Sequence, residues 1–589
     1  MPNASPFRLA PVRQPAFDGQ FRHGRFAPMA ERPKCDFWGA VSLLPCALRR
    51  NGRPEQFPER ARPAGHDAMR PAVPPFQAGI RLPASFALHG TRCRGRLGRA
   101  RFVLWLLSYA LRCKYRIGSV ALMILLSHAE KTFLRRHLDG VRHVTLDPNG
   151  PGVVRIHLVP CRTGWKRDVP YVVILNGQYI LPITISWSIL LVNFMAALHP
   201  YEGKELDDEA LHAAGQEAVE ATRQVYRRVP PEQMEAELRQ MLAAFYAVAR
   251  GREPDIEIGA MDLGDYAPRM LAPHRMDLMV SAMIKDGSWH CNQKCLHCYA
   301  ASQPLAEVPE LDTDQWLAVI QKCRAAGIPQ LTFTGGEPTL RNDLVQLVRA
   351  SQWFVTRLNT NGRMLTPGLC RELADASLDA VQVTLYSADP DTHNTLVGAP
   401  GFADTTEGIR HALAAGLNVS INTPLCSVNR RYADTLAYAH ALGVRYATCS
   451  GLIPTGGAAT DAARATRLAR AELTDVLREA MAYANANGME LNFTSPGWLD
   501  ADTLTELGFT QVPSCGACLS NMAIAPDGTV LPCQSWLSGP GLGNILHAPW
   551  ARIWNGADCR RIREESAKME RRCQLGGTAE QNPAQEGRC

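Results

Sequence analysis

The sequence of 589 residues predicts an α/β protein with a largely parallel sheet, preceded by a small α+β domain and followed by a cysteine-rich domain. Between about residues 280 and 490, apolar runs such as QLTF, AVQVTLY and NVSINT alternate with helix-like segments. Gly327, Gly416 and Gly443 stand at helix–strand junctions, where helices commonly end. Repeated βα units favour a parallel sheet, open or curled into a barrel, with its chemistry at the carboxyl ends of the strands.

Composition separates the first hundred residues from the rest. The chain is 46% hydrophobic and 20% charged, which is an ordinary globular balance. Residues 1–100 are rich in proline, glycine and arginine and show no sustained periodicity, so they are predicted to be disordered, or to result from an upstream start codon. Because this basic segment carries much of the net charge of +7, we expect no nucleic-acid partner.

No segment is predicted to span a membrane. FVLWLLSYAL and IGSVALMILL are separated by the charged RCKYR, and SWSILLVNFMAAL is shorter than the roughly 20 apolar residues of a spanning helix. A helix at a membrane surface is an alternative for residues 102–127. The N-terminus lacks the apolar core of a signal peptide. The 18 cysteines are not spaced like a disulfide scaffold, so a cytoplasmic protein is expected.

The segment at about residues 140–255 predicts a small α+β domain. Its β-branched runs, including VVRIHLVP and YVVILNG, are separated by turn residues and indicate three or four strands. SWSILLVNFMAAL follows, and then two long helical stretches at about 205–226 and 231–250, the second opened by Pro-Pro-Glu. Strands followed by helices are typical of an α+β unit.

The motif CNQKCLHCY places Cys291, Cys295 and Cys298 in the spacing C-x3-C-x2-C. Thiolates select soft metals, and three of them on one loop can bind three irons of a cubane cluster. A structural zinc ion normally has four protein ligands, and His290 or His297 could complete such a site. Both interpretations are open from this motif alone.

A second motif, QLTFTGGEPTLR, follows the first βα unit after the cysteines. The predicted strand ends at Thr334, and Gly335, Gly336 and Glu337 come next. Paired glycines allow a ligand to approach the backbone closely, and a carboxylate can accept hydrogen bonds from an ammonium group. A simple strand–turn–helix joint is the alternative, but it does not explain why the motif stands here.

Together the two motifs resemble the radical S-adenosylmethionine (SAM) superfamily. The resemblance implies a partial (βα)6, TIM-like barrel at about 280–490, and a [4Fe–4S] cluster on Cys291, Cys295 and Cys298 whose unique iron chelates the methionine part of SAM. The remaining residues that it implies for SAM binding are His297 for adenine, Gly335, Gly336 and Glu337 for the methionine amino group, and Asn359 and Asn361 for ribose. An Asn-Gly turn is the alternative for RLNTNG. No catalytic side chain beyond the cluster is assigned.

The C-terminal segment, about residues 510–589, carries a third cysteine group. Cys515 and Cys518 precede NMAIAPDGTVLPC, whose Asp-Gly turn predicts a hairpin that returns Cys533 towards the pair. This resembles the SPASM/twitch extension of radical SAM enzymes, which binds auxiliary [4Fe–4S] clusters. The resemblance implies Cys573 as fourth ligand, with Cys559 as the alternative, and one cluster because a further C-x2-C-x5-C group is absent. A zinc ribbon is the other alternative.

Four further cysteines are predicted to be buried small hydrophobes: Cys323, Cys370, Cys426 and Cys449. Cys426 and Cys449 stand near predicted strand ends that face the active site, and donation of a hydrogen atom or proton is the alternative for these two.

The function that the resemblance implies is reductive cleavage of SAM to a 5′-deoxyadenosyl radical, which abstracts hydrogen from a peptide or protein undergoing oxidation, cross-linking or maturation. A reductase, flavodoxin or ferredoxin would donate the electron. The α+β segment resembles the peptide-binding domain of pyrroloquinoline quinone biosynthesis, where a strand edge would capture a leader peptide. The alternatives are a non-catalytic iron–sulfur electron-transfer protein and a zinc-binding interaction module.

Overall fold

The computed structural model describes residues 127–575, apart from short gaps at 138–139, 147–153, 162–170, 178, 202–206, 250–251, 257, 259–260, 262 and 569–571. The predicted disordered segment and the apolar stretch at 102–126 lie outside the described residues. Residues 127–575 fall within one compact unit.

The N-terminal part of this unit has an antiparallel sheet and four helices. Its strands, in sheet order, are β1 (Arg142–Leu146), β2 (Val154–Pro160), β3 (Tyr171–Leu175) and β4 (Tyr179–Pro182). Its helices are His128–His137, Ile185–Leu198, Asp208–Arg223 and Pro231–Ala249. After the first helix, four strands are followed by three helices in the described residues, which is the predicted order for this segment. The assignment of 140–255 as a separate domain stays a prediction. In the described part of the chain, no helix is long and apolar enough to cross a membrane.

A nine-stranded sheet forms the larger part. Its strands are β5 (Arg275–Ser281), β8 (Gln330–Gly335), β9 (Val355–Thr360), β10 (Ala380–Thr384), β11 (Asn418–Pro424), β12 (Tyr446–Ser450), β13 (Glu490–Phe493), β14 (Asn521–Ile524) and β15 (Val530–Leu531). Between β5 and β8 lies a small ribbon of β6 (Ile284–Lys285) and β7 (Ser288–Trp289). The sheet order is β13-β12-β11-β10-β9-β8-β5-β14-β15.

Neighbours from β5 through β13 in this sheet all pair in parallel, which confirms the predicted α/β class. Six βα units are followed by β13 as a seventh parallel strand. The helices that follow residue 260 are Leu263–Tyr266, Thr313–Ala326, Leu344–Arg349, Pro367–Asp375, Pro390–Val397, Phe402–Ala414, Tyr432–Leu442, Asp461–Arg464, Arg470–Ala486, Ala501–Glu506, Trp550–Trp554 and Ala557–Ala567.

Local sequence signals explain where these helices begin and end. Helix Thr313–Ala326 begins at Asp312, whose carboxylate accepts a hydrogen bond from the Gln315 backbone in a capping box. It ends at Gly327, which has a φ of +80°, a conformation that costs glycine little. Burial alternates along the strands. In β10, for example, Val381 and Val383 are fully buried in the main hydrophobic core, whereas Gln382 between them is half-buried.

Strand β5 joins the C-terminal segment to the parallel sheet. It pairs with β8 on one side and, also in parallel, with β14 on the other, where Ala523 lies opposite Asp277. The hairpin of β14 and β15 turns at Asp527 and Gly528, as the Asp-Gly signal predicted. The C-terminal hairpin therefore extends the sheet that carries the cysteine triplet.

The N-terminal sheet packs against the amino ends of two parallel strands, β9 and β10. Arg155 of β2 forms a buried ion pair of 3.0 Å with Asp379, which immediately precedes β10. His157, also on β2, lies with Nε2 3.0 Å from the Trp353 carbonyl oxygen, just before β9. Burial lowers the pKa of His157 to about 3, so the imidazole is neutral at this contact. These contacts lie at the amino ends of the strands.

Breaking the buried ion pair is expected to destabilise the protein. Asp379 accepts hydrogen bonds from the Thr356 backbone as well as from Arg155, so Asp379→Ala leaves a buried cation and a buried N–H without their acceptor. We expect the free energy of unfolding, measured by urea titration, to fall by about 3–5 kcal/mol. The control is Arg431→Gln at an exposed pair, expected to cost less than about 1 kcal/mol. Equal losses in the two variants would contradict this account.

Candidate active site

The cysteine triplet lies on the loop that follows β7, at the carboxyl ends of the parallel strands. Its backbone is held against the end of helix Pro390–Val397: Lys294 N donates to Val397 O at 2.9 Å, and Leu296 N donates to Leu396 O at 2.9 Å. The three thiols, Cys291, Cys295 and Cys298, are all partly exposed. The loop therefore presents three thiols from a fixed backbone.

The electrostatic environment of these thiols shows that they lie close together. Burial raises the pKa of Cys291 to about 12, and the nearby Glu337 carboxylate adds to the rise. Burial also raises the pKa of Cys295, with further contributions from Cys298 and Cys291. Three thiolates in such surroundings require nearby positive charge, which a metal centre would supply when bound, and only the thiolate form ligates a metal.

Residues that were not predicted from the sequence hold the cysteine loop in place through hydrogen bonds to its backbone. Arg363 Nη1 donates to the Asn292 carbonyl oxygen at 2.7 Å, and the same guanidinium pairs with Asp404 at 3.1 Å. Gly457 N donates to Cys298 O at 2.7 Å. A Cβ on Gly456 would lie 2.6 Å from Cys298 O, so this approach requires glycine. Residues after β9 and β12 thus fix a loop that is far away in sequence.

The paired glycines allow the end of β8 to pass close to the end of β5. A Cβ on Gly335 would collide with the Ser281 carbonyl oxygen and lie 2.8 Å from Ser281 N. A Cβ on Gly336 would lie 2.8 Å from Ala282 O, and Gly336 N donates to Ser281 O at 2.7 Å. The chain itself therefore requires both glycines, in addition to the ligand approach inferred from the sequence.

Glu337 connects this turn to the end of β9. Its Oε1 accepts hydrogen bonds from Thr339 N at 3.0 Å, Thr339 Oγ1 at 2.5 Å and Thr360 Oγ1 at 2.6 Å. Its Oε2 accepts one from Asn361 N at 2.7 Å. Burial raises the pKa of Glu337, and these donors oppose the rise. Each carboxylate oxygen has two lone pairs, and Oε2 has a single donor among the described residues, so Oε2 can accept one more hydrogen bond.

The two asparagines of RLNTNG have different surroundings. Asn361 Nδ2 donates to Asn292 Oδ1 at 2.6 Å, and Asn361 Oδ1 accepts from Arg363 N at 3.0 Å, so its side chain holds the turn to the cysteine loop. Asn359 lies within β9 beside Gln382 of β10. Its Oδ1 is buried without a hydrogen-bond partner among the described residues.

Further buried polar atoms at this edge lack partners within the described part of the chain. They are Ser281 Oγ, Gln293 Nε2 and His297 Nδ1. The other ring nitrogen of His297 lies 2.8 Å from Thr466 Oγ1. Buried polar groups are nearly always hydrogen-bonded, so these atoms, together with Asn359 Oδ1, fit a site that receives a polar cofactor such as SAM.

The C-terminal cysteines converge beside β5. Cys518 N donates to Pro532 O at 2.9 Å, which holds the Cys515–Cys518 turn against the strand that leads to Cys533. Burial raises the pKa of the Cys533 thiol, and Cys573 and Cys515 add to the rise. Gln574 Nε2 lies 3.7 Å from Cys515 Sγ. Cys515, Cys533 and Cys573 are therefore neighbours in the fold.

Cys559, the alternative fourth ligand, lies beside Cys518 and Arg563. Its thiol is hydrogen-bonded to that of Cys518, and Arg563 Nη1 lies 3.5 Å from its sulfur. The Arg563 guanidinium is buried, with its central carbon 3.9 Å from the Trp554 ring centroid. Cys559 and Cys573, the two candidates for the fourth ligand, thus both lie near the other cysteines. The sulfur of Cys559 also contacts Arg563.

Both cysteine sets lie along β5. Burial raises the pKa of Tyr299, which follows Cys298, and the charges of Cys298, Asp277 and Cys533 contribute as well. Asp277 of β5, buried and paired with Arg275 at 2.9 Å, lies near both Tyr299 and Cys533. This buried strand residue therefore lies near Cys533 of the second set and near the residue that follows the first set.

No three His, Cys, Asp or Glu side chains in the described ranges converge on a position for a single metal ion. In an iron–sulfur cluster each cysteine binds a different iron, so cluster ligands do not need to converge on one point.

Four cysteines outside the two sets are packed in hydrophobic clusters. Cys323, Cys370 and Cys449 are fully buried in the main hydrophobic core. Cys426, after β11, is also fully buried, in a smaller apolar cluster with Tyr386 that borders Cys295. These positions match the interpretation as small hydrophobes.

Sequence comparison places the chain among known proteins. The model of the radical SAM superfamily matches residues 290–439, and that of the SPASM iron–sulfur cluster-binding domain matches residues 515–575. PqqA peptide cyclase of Ruegeria pomeroyi is 30% identical over 287 residues, which cover 46% of this chain and 71% of that protein.

Two solved structures are partly similar to this chain. Streptococcus suis SuiB bound to precursor peptide SuiA is 13% identical, with a TM-score of 0.44, and the match covers 67% of this chain and 87% of SuiB. Native anSMEcpe with bound AdoMet is 16% identical, with a TM-score of 0.40, and the match covers 50% of this chain and 84% of that structure.

The two family matches also identify the cofactors. They are a [4Fe–4S] cluster with SAM in the barrel and an auxiliary iron–sulfur cluster in the C-terminal domain. The two resemblances drawn from the cysteine spacings and the GGEP turn are thereby confirmed. The chain is an enzyme of the radical SAM superfamily, with a SPASM domain.

Proposed function

We propose that this enzyme abstracts hydrogen from a peptide or small protein and thereby oxidises, cross-links or matures it. The observation that carries the proposal is that two cysteine sets are held along one strand, β5, in a chain 30% identical to a PqqA peptide cyclase over 71% of that protein. An auxiliary cluster beside the barrel interior provides an acceptor for an electron that leaves the substrate, so the net reaction can be an oxidation.

The proposed SAM site combines the cysteine loop with the ends of β8 and β9. Cys291, Cys295 and Cys298 hold the [4Fe–4S] cluster. When bound, the cluster and SAM together supply a 5′-deoxyadenosyl radical that removes a hydrogen atom from the substrate. The remaining residues proposed to bind SAM are His297, Gly335, Gly336, Glu337, Asn359 and Asn361.

Three of these residues have contacts that support a role. Oε2 of Glu337 retains room for one more donor, which suits the methionine ammonium group. Asn359 Oδ1 lacks a partner in the described structure and suits a ribose hydroxyl. The side chain of Asn361 joins the turn to Asn292 of the cysteine loop, so Asn361 also positions this segment of the SAM site.

For the auxiliary cluster we propose Cys515, Cys518, Cys533 and Cys573 as ligands of one [4Fe–4S] cluster. Cys573 is preferred as the fourth because it interacts with Cys533 and because its neighbour Gln574 reaches Cys515. Cys559 remains the alternative, although its sulfur already contacts Arg563.

The proposed binding element for the peptide is the edge of β1. In the described sheet β1 pairs with β2 on one side and with no strand on the other. A peptide strand can add to such an edge through main-chain hydrogen bonds. We propose further that a reductase, flavodoxin or ferredoxin donates the electron, and that the enzyme is cytoplasmic, because a reducing compartment keeps its thiols available for iron.

Modification of a peptide can be tested directly. The reconstituted, reduced full chain is incubated with SAM and a pool of synthetic peptides, and we expect a peptide mass change that accompanies 5′-deoxyadenosine formation. Cys298→Ala should abolish both, whereas Cys449→Ala, at a buried thiol of the core, should preserve both. Turnover with small molecules but with no peptide would refute the proposed substrate class.

Replacing Glu337 by Gln is expected to weaken SAM binding. The amide would place an N–H group among four donors that now point at carboxylate oxygens, and it would remove the charge that meets the ammonium group. We expect the SAM dissociation constant, measured by anaerobic calorimetry, to rise at least about tenfold.

The matched control for this substitution is Thr339→Val, which removes one donor and leaves the carboxylate. A much smaller change in SAM affinity is expected for it. If the two variants weaken SAM binding equally, Glu337 acts only as a structural connection, and its proposed contact with SAM is wrong.

A further inference from the structure

Arg467 and Trp498 form a stacked pair at the carboxyl edge of the parallel strands. Arg467 lies in the segment between β12 and β13, and Trp498 follows β13. The guanidinium carbon is 5.1 Å from the centroid of the Trp498 ring, and both side chains are half-buried. The ring itself lies on Gly451, where a Cβ would be 2.5 Å from a ring carbon, so its position is fixed by the end of β12.

This pair borders the cysteine loop. Thr466, the residue before Arg467, has its hydroxyl 2.8 Å from His297 Nε2. Trp498 packs against an apolar cluster that also contacts Cys295 and Leu296 of the loop. The pair is therefore at the mouth of the site, on the side formed by β12 and β13.

The charge of Arg467 is not compensated within the described part of the chain. The neighbouring arginines each have an acidic partner: Arg430 with Glu472, Arg431 with Asp434, Arg464 with Asp461 and Arg470 with Asp500. Arg467 has no ion pair among the described residues, and its Nε is buried without a hydrogen-bond acceptor there. Burial and the Arg464 cation lower the pKa of Arg467.

A buried donor without an acceptor costs free energy, and such a group in a native structure requires an explanation. The guanidinium is planar and offers donors in a rigid fork that matches a carboxylate in two parallel hydrogen bonds. Contact with the face of the tryptophan ring restrains the guanidinium without using its N–H donors. A carboxylate is therefore the ligand chemistry that the pair suits best.

Two carboxylates could reach this edge, that of SAM and that of a substrate. The methionine amino group of SAM is assigned to Gly336 and Glu337 at the end of β8, and three strands, β9 to β11, separate β8 from β12 in the sheet. The arrangement thus favours a carboxylate of the substrate.

We propose that Arg467, stacked on Trp498, binds a carboxylate carried by the peptide substrate and positions that peptide beside the cysteine loop. This rests on the proposed function and adds a preference for an acidic peptide over its uncharged counterpart. The pair thereby serves as a specificity-determining contact at the mouth of the site.

The test compares two isosteric probes, N-acetyl-glutamate amide and N-acetyl-glutamine amide. Their binding to the reconstituted full chain, in the presence of SAM, is measured by anaerobic calorimetry. The wild-type chain is expected to prefer the glutamate probe about tenfold or more, because hydrogen bonds to charged groups are strong. Arg467→Gln should remove this preference. Arg464→Gln, at a neighbouring arginine that has its own acidic partner, should preserve it.

Iron content and thermal unfolding of each variant verify that it folds. Arg467→Lys provides a second test, since it retains the charge but lacks the fork and should reduce the preference without abolishing it. A preference that persists in Arg467→Gln overturns the proposal. A loss of SAM affinity in that variant, with the preference for glutamate unchanged, overturns it as well by assigning the arginine to SAM.

Formation of 5′-deoxyadenosine by the wild-type chain is measured separately. Its absence would contradict the proposed function, whereas the preference for the glutamate probe is decided by the binding data alone.

Discussion

Parallel pairing on both edges of β5 is the constraint on which the rest of the site depends. The strand pairs with β8 on one side and with β14 on the other, so the GGEP turn and the C-terminal hairpin are held beside the same strand. The cysteine triplet follows β5 in sequence, and Asp277 within it interacts with Cys533. Two cysteine sets more than 200 residues apart in sequence are thus held along one strand through main-chain hydrogen bonds.

The carboxyl edge is then fixed by polar side chains that connect one strand end to the next. Glu337 joins the end of β8 to Thr360 and Asn361 at the end of β9. Asn361 and Arg363 continue the connection to Asn292 in the cysteine loop. A charged group in such a network is costly to bury and expensive to leave unpaired, so the loss of one member disturbs the others. The loop that carries the thiols is in this way positioned by residues that do not bind metal.

Much of this arrangement could be predicted from the sequence, because it depends on local signals. Alternating apolar runs and capping residues such as Asp312 predicted the βα units, and the two short motifs predicted the superfamily. The Asp-Gly turn predicted the hairpin but not its parallel pairing with β5, because pairing between distant strands leaves no mark in a local pattern. Arg363 was missed for the same reason: its partners, Asn292 and Asp404, are 71 and 41 residues away.

The glycines after β12 show a second reason why parts of the site could not be predicted from the sequence. A Gly-Gly pair is an ordinary turn signal, and only the fold shows that Gly456 and Gly457 lie against the backbone of Cys298. The ambiguity of RLNTNG also required coordinates. Asn361 holds a turn while Asn359 keeps a buried oxygen without a partner in the described structure, although both residues stand in the same short motif. Arg467 and Trp498, 31 residues apart, have no local signal either.

The most direct test of the central claim, that the two cysteine sets hold separate clusters, is the iron content of the chain after anaerobic reconstitution. The account predicts about eight irons per wild-type chain, and about four when Cys515, Cys518 and Cys533 are replaced together by alanine. It also predicts that the wild-type protein forms 5′-deoxyadenosine from SAM on reduction. A wild-type chain that holds only about four irons, or a colourless zinc-loaded protein that does not cleave SAM, would contradict it.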